Sequence, residues 1–208
     1  MSDFFTPPPP PEPEPEYAQP EWLGPPDNEL GVAVPIRVVL ARTGEVAVAA
    51  TDVVAYSTGI ELNLAVRLRT VDHLADPYGM HYGRMRLGGA ELGDEVLRFG
   101  AEFEDGRRVT NIDAFPGADP ERAPTDPVLV QRGGGGGGKT WDQRLWLWPL
   151  PPAGVLAFVC EWPKHGIGLT RVEVDIAPIL EAAAAAEQLW PGGGPSPGGG
   201  FVSSQIVG

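Results

Sequence analysis

With 208 residues, of which Gly 28 and Pro 24 make about a quarter, the chain has room for one domain of roughly 150 to 160 residues once its biased ends are set aside. Its formal net charge of -13 includes seven acidic side chains ahead of the first basic one, Arg37, and such a surface repels phosphate backbones, so nucleic-acid binding is not expected. The single cysteine, Cys160, excludes an internal disulfide, and no apolar run approaches the ~20 residues of a spanning helix, so a non-membrane, cytoplasmic protein is expected.

Residues 7–15 read PPPPPEPEP, where fixed φ and missing N–H groups favour a solvated polyproline II rod. Residues 1–31 are therefore expected to be a disordered Pro/Glu-rich tail, with Trp22-Leu23 as the one pair able to dock back onto the domain. From Val32, alternation of Val34, Ile36, Val38 and Leu40 with more polar neighbours predicts a strand, with Pro35 suited to an edge. Glu45 to Tyr56 predicts a second. Ile60, Leu62, Leu64, Val66 and Leu68 against Glu61, Asn63, Arg67 and Arg69 predict a strand with one buried and one wet face.

Val71 to Gly93 reads as a long loop with a short strand near Arg84 to Leu87. Leu97, Phe99, Ala101 and Phe103 then point inward, and Asp105-Gly106 predicts a hairpin into Arg107 to Ile112. After a turn-rich loop, Val128 to Gln131 predicts a short strand, the glycines Gly133 to Gly138 a flexible excursion, and Trp141 to Trp148 the return strand. Val155 to Trp162 reads as a buried strand. Leu169 to Ile176 alternates with Thr170, Val172, Val174 and Ile176 inward. The alanine run within Ala177 to Leu189 predicts a helix that Pro191-Gly192 stops. The expected fold is all-β: an antiparallel β-sandwich, immunoglobulin-like or jelly-roll-like, over residues 32–190 with one C-terminal α-helix, followed by a flexible Gly/Pro/Ser tail over 191–208.

The motif Gly133 to Thr140, GGGGGGKT, satisfies a phosphate-loop pattern in which Lys139 and Thr140 would serve phosphates and magnesium. A glycine tract fills most of that pattern automatically, and the following residues read as strand, whereas an anion cradle needs a helix N-terminus. Trp141, Trp146, Trp148 and Trp162 offer an aromatic ligand or partner surface, with core packing as the competing reading. His73, His81 and His165, with Asp72, Asp76 and Cys160, provide metal-ligating atoms without a zinc spacing. Ser57 with His81 lacks a nucleophile-elbow signature, and Asp113, Asp119, Glu121 and Asp126 match no calcium loop. No catalytic, cofactor-binding or metal residue is assigned, and no cofactor is expected.

The stretch from Pro20 to Arg69, together with LWLWPLPPAG and FVCEWPKHGI, resembles an uncharacterised protein family of GC-rich actinobacteria. The resemblance implies a bacterial protein and carries over neither an activity nor site residues. The expected function is a non-enzymatic binding or protein-interaction module, with a partner reached through the Pro-rich tail or the tryptophans. A metal-dependent or nucleotide hydrolase is the alternative.

Overall fold

The computed structural model describes residues 19–71, 93–114, 116, 117, 119 and 122–190. Within them the strands are β1 (Glu29–Leu30), β2 (Val32–Val34), β3 (Val38–Arg42), β4 (Val46–Ala55), β5 (Ile60–Leu68), β6 (Arg98–Glu102), β7 (Arg108–Thr110), β8 (Val128–Gly137), β9 (Thr140–Trp148), β10 (Val155–Trp162), β11 (Ile167–Asp175) and β12 (Glu187–Gln188). One α-helix, α1 (Ala177–Ala184), and short 3-10 turns at Glu21–Leu23 and Pro163–His165 complete the order.

Every pairing is antiparallel, and two sheets carry the fold. The large sheet runs β2, β4, β5, β9, β8, with β3 following β2 along the same side of β4. The interruption between β2 and β3 contains Pro35, which lacks the N–H a ladder needs. The small sheet runs β11, β10, β6, β7, and β1 pairs with β12 separately. The result is an all-β, sandwich-like fold with one helix.

The core forms where the period-2 patterns face each other. Ile60, Leu62, Leu64 and Val66 of β5 are buried, as are Leu97, Phe99, Ala101 and Phe103 around β6. They meet Leu156, Phe158 and Trp162 of β10 and Leu145 and Leu147 of β9 in one cluster, in which Phe99 and Phe158 stack with ring centroids 5.6 Å apart. Each such side chain contributes about 1.5–3 kcal/mol by leaving water. The Asp105-Gly106 hairpin forms, closed by the Phe103 amide donating to the Arg107 carbonyl. Helix α1 packs on β2 and β4 and adds Ile179, Ala182 and Ala183 to the core.

Three expectations need revision. The glycine tract is strand: Gly133 to Gly137 extend β8 and pair residue by residue with Arg144 to Thr140. Chemistry explains it, since a Cβ on Gly134 would stand 2.5 Å from the Asp142 carbonyl oxygen and one on Gly136 2.6 Å from the Trp141 Cα. Glycine is what lets β8 lie this close to β9. The helix stops at Ala184 rather than continuing to Leu189, because Glu187-Gln188 pair with Leu30 and Glu29 and the Leu189 amide donates to the Asn28 carbonyl. Finally, ordered contacts begin before residue 32: Trp22 and Glu29 are buried. The short strand read near Arg84 to Leu87 lies outside the described residues.

Candidate functional site

The two sheets differ on their outward faces. On the small sheet that face is a charge ladder: Glu102 accepts from Arg108 at 2.7 Å and Arg171 at 3.2 Å, and Arg98 pairs with Glu161. The hydrogen bond from Arg171, partly opposed by burial, and the charge of Arg108 hold the Glu102 carboxyl below the usual carboxylate range. Such partly exposed pairs belong to a solvated face and contribute little each.

The large sheet is polar at one end of its outward face and aromatic at the other. At the polar end, Asp142 accepts from Asn63 Nδ2 at 2.9 Å and Arg67 Nη2 at 3.0 Å, and Asn63 also donates to Thr51 at 3.2 Å. Burial raises the Asp142 carboxyl, but the hydrogen bonds from Arg67 and Asn63 and the Arg67 charge outweigh it and leave it below its ordinary value.

At the aromatic end, alternation along β9 sends Trp146 and Trp148 to the side opposite Leu145 and Leu147. Trp146 is nonetheless fully buried. Tyr56 meets it edge-on with centroids 5.7 Å apart, and the backbone at Gly59 lies beneath its ring, where a Cβ would stand 2.7 Å from the indole. Burial, then the carboxylates of Glu61 and Glu29, push the Tyr56 phenol up against the influence of Arg132 and Arg144.

The remaining cover is the N-terminal segment Gln19–Gly24. Its 3-10 turn inserts Trp22, whose ring meets that of Trp148 edge-on at 6.2 Å and whose indole N–H donates to the Gly117 carbonyl at 2.9 Å. The sheet answers with two donors aimed at strap backbone: Trp146 Nε1 to the Glu21 carbonyl at 2.9 Å, and Arg132 Nη1 to the Leu23 carbonyl at 3.0 Å. Contacts to strap side chains are longer, Trp148 Nε1 to Glu21 Oε2 at 3.5 Å and Arg132 Nη1 to Gln19 Oε1 at 3.4 Å. Further along, buried Glu29 accepts from the Ser57 amide at 2.7 Å and hydroxyl at 2.6 Å, fastening the chain to the β4–β5 turn. Charge-assisted bonds of this kind are among the stronger ones.

The four tryptophans singled out by sequence do not form one surface. Trp146 and Trp148 share the strapped face. Trp141 lies on the core side of β9, and Trp162 lies in the small sheet, with its indole N–H donating to the Glu95 carbonyl at 2.8 Å and its ring against His165 at 4.1 Å. Sequence reading assigned no part to Tyr56 or Arg132; their signal is long-range, and only Trp22-Leu23, apolar within a Pro/Glu-rich stretch, hinted at docking.

The other sequence candidates are dispersed. Lys139 is exposed in the β8–β9 turn and Thr140 begins a strand, so no helix N-terminus stands behind the glycines. His73, His81, Asp72, Asp76 and Glu121 lie outside the described residues, and Asp113, Asp119 and Asp126 sit in loops. Among the described residues no group of three or more His, Cys, Asp or Glu is placed to hold a metal ion. No helix among them is long and apolar enough to cross a membrane. Buried Cys160 has its thiol pushed up to about 12 by desolvation.

Comparison with known protein families, with curated proteins and with solved structures gave no match to this chain.

Proposed function

We propose that the chain is a non-enzymatic, cytoplasmic protein-interaction module that presents its Pro-rich N-terminal segment to an aromatic-lined groove on another protein. The observation that carries this reading is the clasp on Gln19–Gly24, which fastens the chain to the large sheet only a few residues after the PPPPPEPEP sequence of residues 7–15. A proline-rich sequence, with φ fixed at each proline, loses little entropy when it docks. The position of Lys139 and Thr140 ahead of a strand, where phosphates find no helix dipole, favours this over nucleotide hydrolysis.

Affinity capture with the full chain, compared with a variant carrying Pro8→Ala, Pro9→Ala and Pro10→Ala, tests the reading. Partners identified by mass spectrometry are expected to be lost from the variant. Identical partner sets would count against it.

A further inference from the structure

The strap contacts carry chemical information of their own. The two shorter sheet-to-strap hydrogen bonds end on main-chain carbonyls two residues apart, at Glu21 and Leu23, and the side chain between them, Trp22, fills the space beside Trp148. Donors aimed at carbonyls accept almost any residue type at those positions, so sequence enters mainly through the aromatic that fills the space. Flanking prolines, Pro20 before the turn and Pro25-Pro26 after it, narrow the conformations the segment samples when free. A face with a tryptophan donor, a guanidinium donor and an aromatic wall is a peptide site by its chemistry.

We infer that the outer face formed by Tyr56, Trp146, Trp148 and Arg132 is a peptide-binding site for a proline-flanked single turn carrying a tryptophan, and that Gln19–Gly24 is its ligand in cis. The partner is a second protein offering such a turn. This concerns a surface separate from the Pro-rich stretch, while resting on the same reading of the chain as an interaction module. The tethered strap competes at an effective concentration of about a millimolar, so a trans ligand gains the site only when it binds better than the strap or when the strap is withdrawn.

The test titrates the synthetic peptide Gln-Pro-Glu-Trp-Leu-Gly-Pro-Pro, the chain's own residues 19–26, into full-length wild-type protein and full-length Trp22→Ala protein by calorimetry. The Trp22→Ala chain is expected to bind the peptide at least tenfold more tightly than wild type. Adding Arg132→Ala to it should weaken binding severalfold, and a peptide with alanine in place of tryptophan should bind neither chain. Should Trp22→Ala fail to fold, Trp22→Leu keeps an apolar filler and carries the same expectation at smaller amplitude. Equal affinity for both chains, or no binding to a folded strap variant, overturns the inference. Prolines 8–10 lie outside this peptide, so the capture experiment and this titration fail independently.

Discussion

Replacing Trp22 with alanine should unfasten the N-terminal segment and leave the sandwich folded. Trp22 is 5% exposed, and a tryptophan buries about 150–250 Å², worth about 4–6 kcal/mol at 25 cal/mol per Å². Its hydrogen bond to Gly117 adds about 1 kcal/mol and the edge contact with Trp148 about 1 more. Against this stands the ordering of Gln19–Gly24, about 1 kcal/mol for each of about six residues. The hydrogen bonds from Trp146 to Glu21 and from Arg132 to Leu23 add about 1 kcal/mol each, so docking is favourable by about 2–4 kcal/mol. That surplus limits the damage: a variant whose strap detaches loses the docking energy, the cover over Trp146 included, and keeps the pairing of the two sheets. Urea unfolding should show a loss of about 2–4 kcal/mol, no larger than that surplus. Tryptophan emission should shift to the red as Trp146 and Trp148 meet water. A cooperative loss above about 4 kcal/mol, or unchanged emission from a folded variant, would refute the reasoning.

Gly136→Ala should destabilise by about 1–3 kcal/mol because its Cβ runs into β9, whereas Gly135→Ala, with open space around it, should melt within a degree or two of wild type. Gly59→Ala places a methyl 2.5 Å from the Leu147 carbonyl oxygen, and thermal melting should report a loss in that same range of about 1–3 kcal/mol. With its thiol pushed up to about 12, Cys160 should resist alkylation at pH 8 in the native protein and react fully in denaturant, as quantified by mass spectrometry. The depressed Asp142 carboxyl contributes stability that is present above its ordinary 3.8 and lost as pH falls through the lower folded value; Asp142→Asn should flatten the acid limb of a pH–stability profile, and an unchanged limb would discount the Arg67 and Asn63 contacts.

Much of the sandwich was legible because its strands alternate. Ile60 to Leu68 and Leu97 to Phe103 expose their inward faces in the sequence itself, and Asp105-Gly106 marks its own turn. Gly133 to Gly137 could not be read this way, since glycine has no side chain to alternate; what makes the tract a strand is the close backbone of β9. The alanine run overpredicted the helix because intrinsic propensity yields to pairing with residues far away in the chain, Glu29 with Gln188. The strapped face was hidden for a similar reason. An apolar Trp146 and Trp148 opposite Leu145 and Leu147 announce a strand covered on both sides, yet nothing local says whether a helix or a terminus provides the cover. Helix α1 packs elsewhere, on β2 and β4.

The most direct test of the clasp is hydrogen exchange and nuclear Overhauser spectroscopy on the tryptophan indoles of the full chain. The clasp requires a slowly exchanging Trp146 indole N–H and a cross-peak between the Trp22 and Trp148 rings, 6.2 Å apart at their centroids. A Trp146 indole that exchanges at the free rate, with no contact between those rings, would contradict it.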